Sequence, residues 1–209
     1  MGKVTENKQQ KERSLLDTAF QLFTSKGIAK TSISDIVQQA GMAKGTFYLY
    51  FRDKYELQER LIVHKAEVLF RHALGAVQGR EHLSSEEQII ALVDDILSEM
   101  QRDHRLLRFI NKNLSWAVFR RALGKSNMDY LTEVRRILNT GGEQWQEQEL
   151  MLYTIIELVG STSYSVILDE DPVDLERYKP WLFRSIRAIM DSHRLQPGQF
   201  ENGERKRLI

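Results

Sequence analysis

The chain has 209 residues, 42% of them hydrophobic, which is enough for one small module plus one larger domain with a real core. It has no cysteine, so disulfides, thiolate metal sites and a cysteine nucleophile are excluded, and that absence suits a reducing cytoplasm. The net charge of +1 is unevenly spread: residues 1–54 hold nine Lys or Arg against five Asp or Glu, and residues 55–209 hold 21 against 24.

Residues 1–8 are polar, lack a signal-peptide apolar region and read as a disordered arm. No apolar run approaches the roughly 18 residues needed to span a bilayer, so the expectation is a soluble cytoplasmic protein without membrane contact. From about Gln9, Leu15, Leu16, Ala19, Phe20, Leu22 and Phe23 fall on one side of a helix, which Gly27 ends after Lys26. Lys8, Lys11 and Arg13 could approach a flanking phosphate, and a solvated face accounts for them equally well.

The stretch from Ser32 to Lys54 reads as a helix-turn-helix. Ser32-x-x-Asp35 is a capping-box signature, Ile33, Ile36, Val37 and Ala40 follow at helical spacing, and Gly41 suits a left-handed helix end. The next helix is too short to recover its nucleation cost in water and must be held by packing. Phe47 and Phe51, four apart, share its buried face and leave Lys44, Gly45 and Tyr48 free to read DNA. The basic charge of residues 1–54 coincides with this motif, so binding should weaken with salt as counterions are released.

This stretch closely resembles the DNA-binding segment of the tetracycline-repressor (TetR) family of bacterial regulators. The resemblance lies in Thr31-Ser32, Asp35-Ile36, Ala40-Gly41, Gly45-Thr46-Phe47-Tyr48-x-Tyr50-Phe51 and Lys54, and covers about fifty residues. It implies that Thr31, Thr46, Tyr50 and Lys54 hold phosphates of a double-stranded operator, while Lys44, Gly45 and Tyr48 face base edges. Family members often place Ser or Thr just before the reading helix, where this chain has Ala43. The missing side-chain cap costs about 0.5–2 kcal/mol unless replaced.

Asp53-x-x-Glu56 starts a long helix through Tyr55, Leu57, Leu61, Ile62, Ala66, Leu69, Phe70, Ala73 and Val77, able to act as connector and lever. Gly75, Gly79 and Arg80 to Ser85 interrupt the pattern. Helices follow at about Ser85 to Gln101, Asp103 to Ile110 and Met128 to Leu138, with an apolar, aromatic stretch at Leu114 to Leu123 and a breaker at Asn139-Thr140-Gly141-Gly142. Two long apolar helices close the domain, about 147–168 and 179–193, the second with Pro180 in its first turn and Asp174 capping a short turn before it. Two such helices from each of two chains make a four-helix homodimer interface, a reading the resemblance also implies; a monomer core is the alternative. Residues 196–209 form a polar tail.

His64, His72, His82, His104 and His193 show no metal-ligand spacing, no phosphate loop or nucleophile elbow emerges, and the adjacent carboxylates Asp94-Asp95 and Glu86-Glu87 read as solvated charge, so neither an enzyme, a cofactor nor a metal site is expected. Phe109, Asn113, Trp116, Phe119, Asn127, Tyr130, Trp145, Tyr153 and Tyr164 are the candidate lining of a small-molecule pocket, although core packing explains the aromatics equally. The expected fold is all-α: a three-helix DNA-binding domain at residues 1–54 and a larger helical ligand-binding and dimerisation domain at residues 55–195. The expected function is that of a homodimeric repressor that a small-molecule effector releases from a palindromic operator.

Overall fold

The computed structural model describes residues 2–80, 82–110 and 130–195. All its regular elements are helical: α1 (Gly2–Lys26), α2 (Ile33–Gln39), α3 (Lys44–Tyr48), α4 (Lys54–Val77), α5 (Ser85–Arg102), α6 (His104–Ile110), α7 (Tyr130–Leu138), α8 (Gln148–Tyr164) and α9 (Leu175–His193). Extended pairing among the described residues is limited to a bridge between Trp145 and Arg194. Leu15, Ala19 and Phe23 of α1, Ile36 and Val37 of α2, and Phe47 and Phe51 around α3 are buried together, making the N-terminal three-helix unit.

Local chemistry sets most boundaries. Ser32 accepts from the Asp35 amide at 3.1 Å while the Asp35 carboxylate accepts from the Ser32 amide at 2.8 Å, a reciprocal box that opens α2. Ser84 and Glu87 repeat the device at α5. At α4 the pattern differs from the sequence expectation: Asp53 caps the amides of Tyr55 and Glu56 at 2.9 and 2.8 Å, but Glu56 reaches past Asp53 to the Arg52 amide at 2.7 Å. Gly27 and Gly41, with φ of 83° and 66°, supply the left-handed residues that end α1 and turn α2 into α3.

Several expectations need correction. The polar start is helical from Gly2, because Lys, Glu and Gln are good helix formers and the run continues an already nucleated helix. Gly75 does not interrupt α4, which runs to Val77 before Gly79 turns at φ 80°. The last helix begins at Leu175, where Asp174 accepts from the Arg177 amide at 2.9 Å, so Pro180 lies in its second turn. Gln148–Asp169 reaches the length and mean hydropathy of a membrane span, contrary to the expectation from the sequence. Its Met151, Leu152, Ile155 and Val159 are buried, so core packing accounts for part of that apolar character. Leu114 to Leu123 and the tail at 196–209 lie outside the described residues.

The larger domain is built around α5, which packs against α4, α7 and α9, while α8 packs against α9. Lys179 of α9 reaches Asp94 of α5 at 2.9 Å and Glu176 at 3.4 Å. His72 of α4 meets Asp95 of α5 at 3.0 Å. Arg194 closes the C-terminal end by pairing with Glu86 and Glu143 and lying 4.6 Å over the Trp145 ring, while the Leu195 amide donates to the Gln144 carbonyl at 2.9 Å.

Candidate nucleic-acid interface

The short helix α3 depends on its back face. Ala43 provides no side-chain cap to α3, and five residues cannot sustain a helix alone. Phe47 and Phe51 are buried with ring centroids 5.6 Å apart, and the Arg60 guanidinium of α4 lies 5.3 Å over Phe51. The turn is closed by the Met42 amide donating to the Val37 carbonyl at 2.8 Å. With that side fixed, Lys44, Gly45 and Tyr48 are all exposed on the other, Tyr48 at 53%. Thr46 and Tyr50 are half-buried beside them.

Two residues of the expected phosphate set turn inward. Thr31 is 1% exposed and its hydroxyl donates to the Gly27 carbonyl at 2.8 Å. Lys54 donates to the carbonyls of Ile28 at 2.9 Å, Thr31 at 3.1 Å and Ala29 at 3.4 Å, so its ammonium tethers the loop before α2 to the start of α4. Leu49, 76% exposed beside Tyr48, was missed by the periodicity argument, which treats an exposed leucine as noise; Arg52 is exposed nearby.

The caps carry the local electrostatics. The Ser32 amide and the Lys26 ammonium, 3.0 Å away, hold the Asp35 carboxyl down to about 2. The Glu56 amide lowers Asp53 and the Arg52 amide lowers Glu56, so both acids at the start of α4 stay ionised against free backbone amides.

The nine residues expected to line a ligand pocket do not converge where described. Phe109 packs edge-on against Phe20 of α1 at 5.5 Å. The buried Trp145 spends its indole N–H on the Leu138 carbonyl at 2.7 Å. Tyr153 is exposed and Tyr164 is half-buried against the core. Asn113, Trp116, Phe119 and Asn127 lie outside the described residues, as does the side chain of Tyr130. An apolar cavity of about 60 Å³ instead lies among Phe70 of α4, Ile89, Val93 and Ile96 of α5, Val134 of α7 and Leu152 and Ile155 of α8. These aliphatic residues give no distinct signal in the sequence, because a cavity wall and a packed core have the same helical periodicity. Among the described residues, no group of three or more His, Asp or Glu is arranged to hold a metal.

Residues 15–61 match the model of a family described as bacterial regulatory proteins, tetR family. The uncharacterized HTH-type transcriptional regulator YvdT of Bacillus subtilis (strain 168) is 40% identical over 99 residues, spanning 47% of this chain and 46% of that protein. The chain thus spans about half the length of the first curated relatives it matches. Among solved structures, a tetR-family transcription regulator from Shewanella sp. PV-4 has a TM-score of 0.64 at 20% identity, covering 89% of this chain and 99% of that one. FadR from Bacillus subtilis in complex with stearoyl-CoA has a TM-score of 0.57 at 18% identity, covering 83% and 96%. At these identities both structures speak for the fold alone.

Proposed function

From the match of residues 15–61 to the tetR family of bacterial regulatory proteins, we propose that this chain is a homodimeric transcriptional repressor. It binds a palindromic operator and leaves it when a small molecule binds the larger domain. The observation that carries this reading is α3 itself: Lys44, Gly45 and Tyr48 stand free on a helix whose opposite side is fixed by Phe47 and Phe51. Residues 1–54 are the reader and residues 55–195 the effector and dimerisation domain. Thr46 and Tyr50 contact phosphates beside the base-reading residues.

Dimerisation uses α8 and α9, where Leu150, Tyr153 and Trp181 are exposed, Trp181 at 64%. Apolar and aromatic side chains of this size favour burial at a subunit interface, and two-fold symmetry sets two readers about 34–36 Å apart for successive major grooves.

The effector enters the apolar cavity. At about 60 Å³ that cavity is far below the roughly 300–1,000 Å³ of a typical ligand site, so entry must displace its walls. One wall is Phe70 of α4, a helix about 36 Å long at 1.5 Å per residue that ends on the reader. A ligand that binds the displaced state better shifts the population away from DNA. The lining suits a largely hydrocarbon body, and the like-folded FadR holds stearoyl-CoA.

Selection from a random duplex pool tests the function. Enrichment of a palindrome with half-sites one helical turn apart is expected, and a pool that stays random over successive rounds would overturn the reading.

A further inference from the structure

A second, open cleft of about 420 Å³ lies where the end of α1, the Gly27 turn, α4 and α6 meet, and it shares no lining residue with the apolar core cavity. Its apolar surface comes from Phe23, Ile28 and Phe109, and its polar rim includes Gln58, Arg105 and Arg108. The two arginines are three apart on α6 and exposed, which puts both guanidinium groups on one side of the helix. No carboxylate of the described residues lines the cleft. Arg105 has a long pairing with Asp103 at 3.6 Å, and Arg108 makes no ion pair with any described residue.

Two positive forks over an aromatic and aliphatic floor define a ligand chemistry. Guanidinium groups bind phosphate or carboxylate oxygens through paired, charge-assisted hydrogen bonds, and the floor removes hydrocarbon from water. We propose that this cleft is a binding site for a small anionic amphiphile, its phosphate or carboxylate head held by Arg105 and Arg108 and its chain or ring laid on Phe23, Ile28 and Phe109. The site has a mechanical consequence. Phe109 of α6 already meets Phe20 of α1 edge-on at 5.5 Å, so an occupant of the adjoining cleft clamps α6 of the larger domain to the helix that carries the reader. The binding assignment stands on the cleft alone, whereas the effect on DNA rests on the function proposed above.

Titration calorimetry of the full chain with octyl phosphate, with octanol as the uncharged control, tests the site. The expected result is saturable binding of one octyl phosphate per chain, weakened at least tenfold in Arg105→Ala/Arg108→Ala and less in Arg105→Lys/Arg108→Lys, with no displacement by octanol. Circular dichroism should show both double variants folded, since both side chains are exposed. Absence of saturable binding, unchanged affinity in the alanine variant, or displacement by octanol would overturn the assignment. Adding octyl phosphate to operator-bound protein should alter DNA affinity in the wild type only. Unaltered DNA affinity with octyl phosphate bound overturns the clamp, and absence of any operator binding with octyl phosphate still bound overturns the DNA reading.

Discussion

The Lys54 ammonium donates to the carbonyl oxygen of Thr31 at 3.1 Å, and with its bonds to Ile28 and Ala29 it fastens the loop before α2 onto the first turn of α4. The cation that family resemblance assigns to a phosphate is therefore occupied inside the protein. A lysine that touched phosphate would, when removed, lower the salt slope of binding by about one; an internal tether would weaken affinity at unchanged slope. Lys54→Ala should show the second pattern in anisotropy at several salt concentrations, together with a loss of about 1–3 kcal/mol in the stability of the N-terminal module by urea unfolding. A reduced slope with unchanged stability would return Lys54 to the phosphate set.

Asp35 joins the α2 capping box to Lys26 of α1. Its carboxyl is lowered from 3.8 to about 2, so the stability it contributes is fully present above pH 3.8 and is lost as pH falls through about 2. Asp35→Asn should flatten the acid limb of the unfolding curve in that window, and Ser32→Ala should cost about 0.5–2 kcal/mol at neutral pH. An acid limb identical in Asp35→Asn and wild type would contradict the assignment.

Two histidines on α4 act in opposite directions. His72 is raised above 6.5 by its hydrogen bond to Asp95 and by the charges of Asp95 and Glu99, against smaller effects of desolvation and of Arg102. Its contribution is complete below 6.5 and lost as pH rises through the higher folded value. Burial lowers His64, with Lys65, Arg13 and Arg71 adding to burial and Asp17 opposing it, so its effect is a loss of stability as pH falls below 6.5. Thermal unfolding between pH 5 and 8 should show His72→Gln losing the high-pH decline and His64→Gln losing the low-pH decline. The same slope change in both variants would refute this.

The exposed faces of α8 and α9 predict the oligomer. Trp181→Asp, alone or with Tyr153→Asp, places charge where an apolar interface is proposed. Sedimentation velocity should give a dimer for the wild type and a folded monomer for the double variant, with operator affinity reduced at least tenfold. A variant that remains dimeric would move the interface elsewhere.

The reader was legible in the sequence because its signals are local. Ser32 and Asp35, Gly41, and Phe47 and Phe51 act over two to four residues, within the reach of cap and periodicity rules. The inward turn of Lys54 was not legible: its partners are 23 to 26 residues away, and a lysine in a basic module has the same composition whether it faces DNA or a carbonyl. The expected pocket lining failed for a related reason. Aromatic residues suggested a pocket, yet Trp145 is committed to Leu138 and Arg194, while the cavity is walled largely by aliphatic residues. Long-range closure of helices, which periodicity does not encode, decided both cases.

The free side of α3 carries the proposed DNA contact, and fluorescence anisotropy with the selected palindrome tests it most directly. Wild-type protein should bind with an affinity that falls steeply with salt, and Lys44→Ala/Tyr48→Ala should bind at least tenfold more weakly while sedimenting as the same dimer. Equal operator affinity in the double variant and the wild type would contradict the assignment of α3 as the reader of DNA.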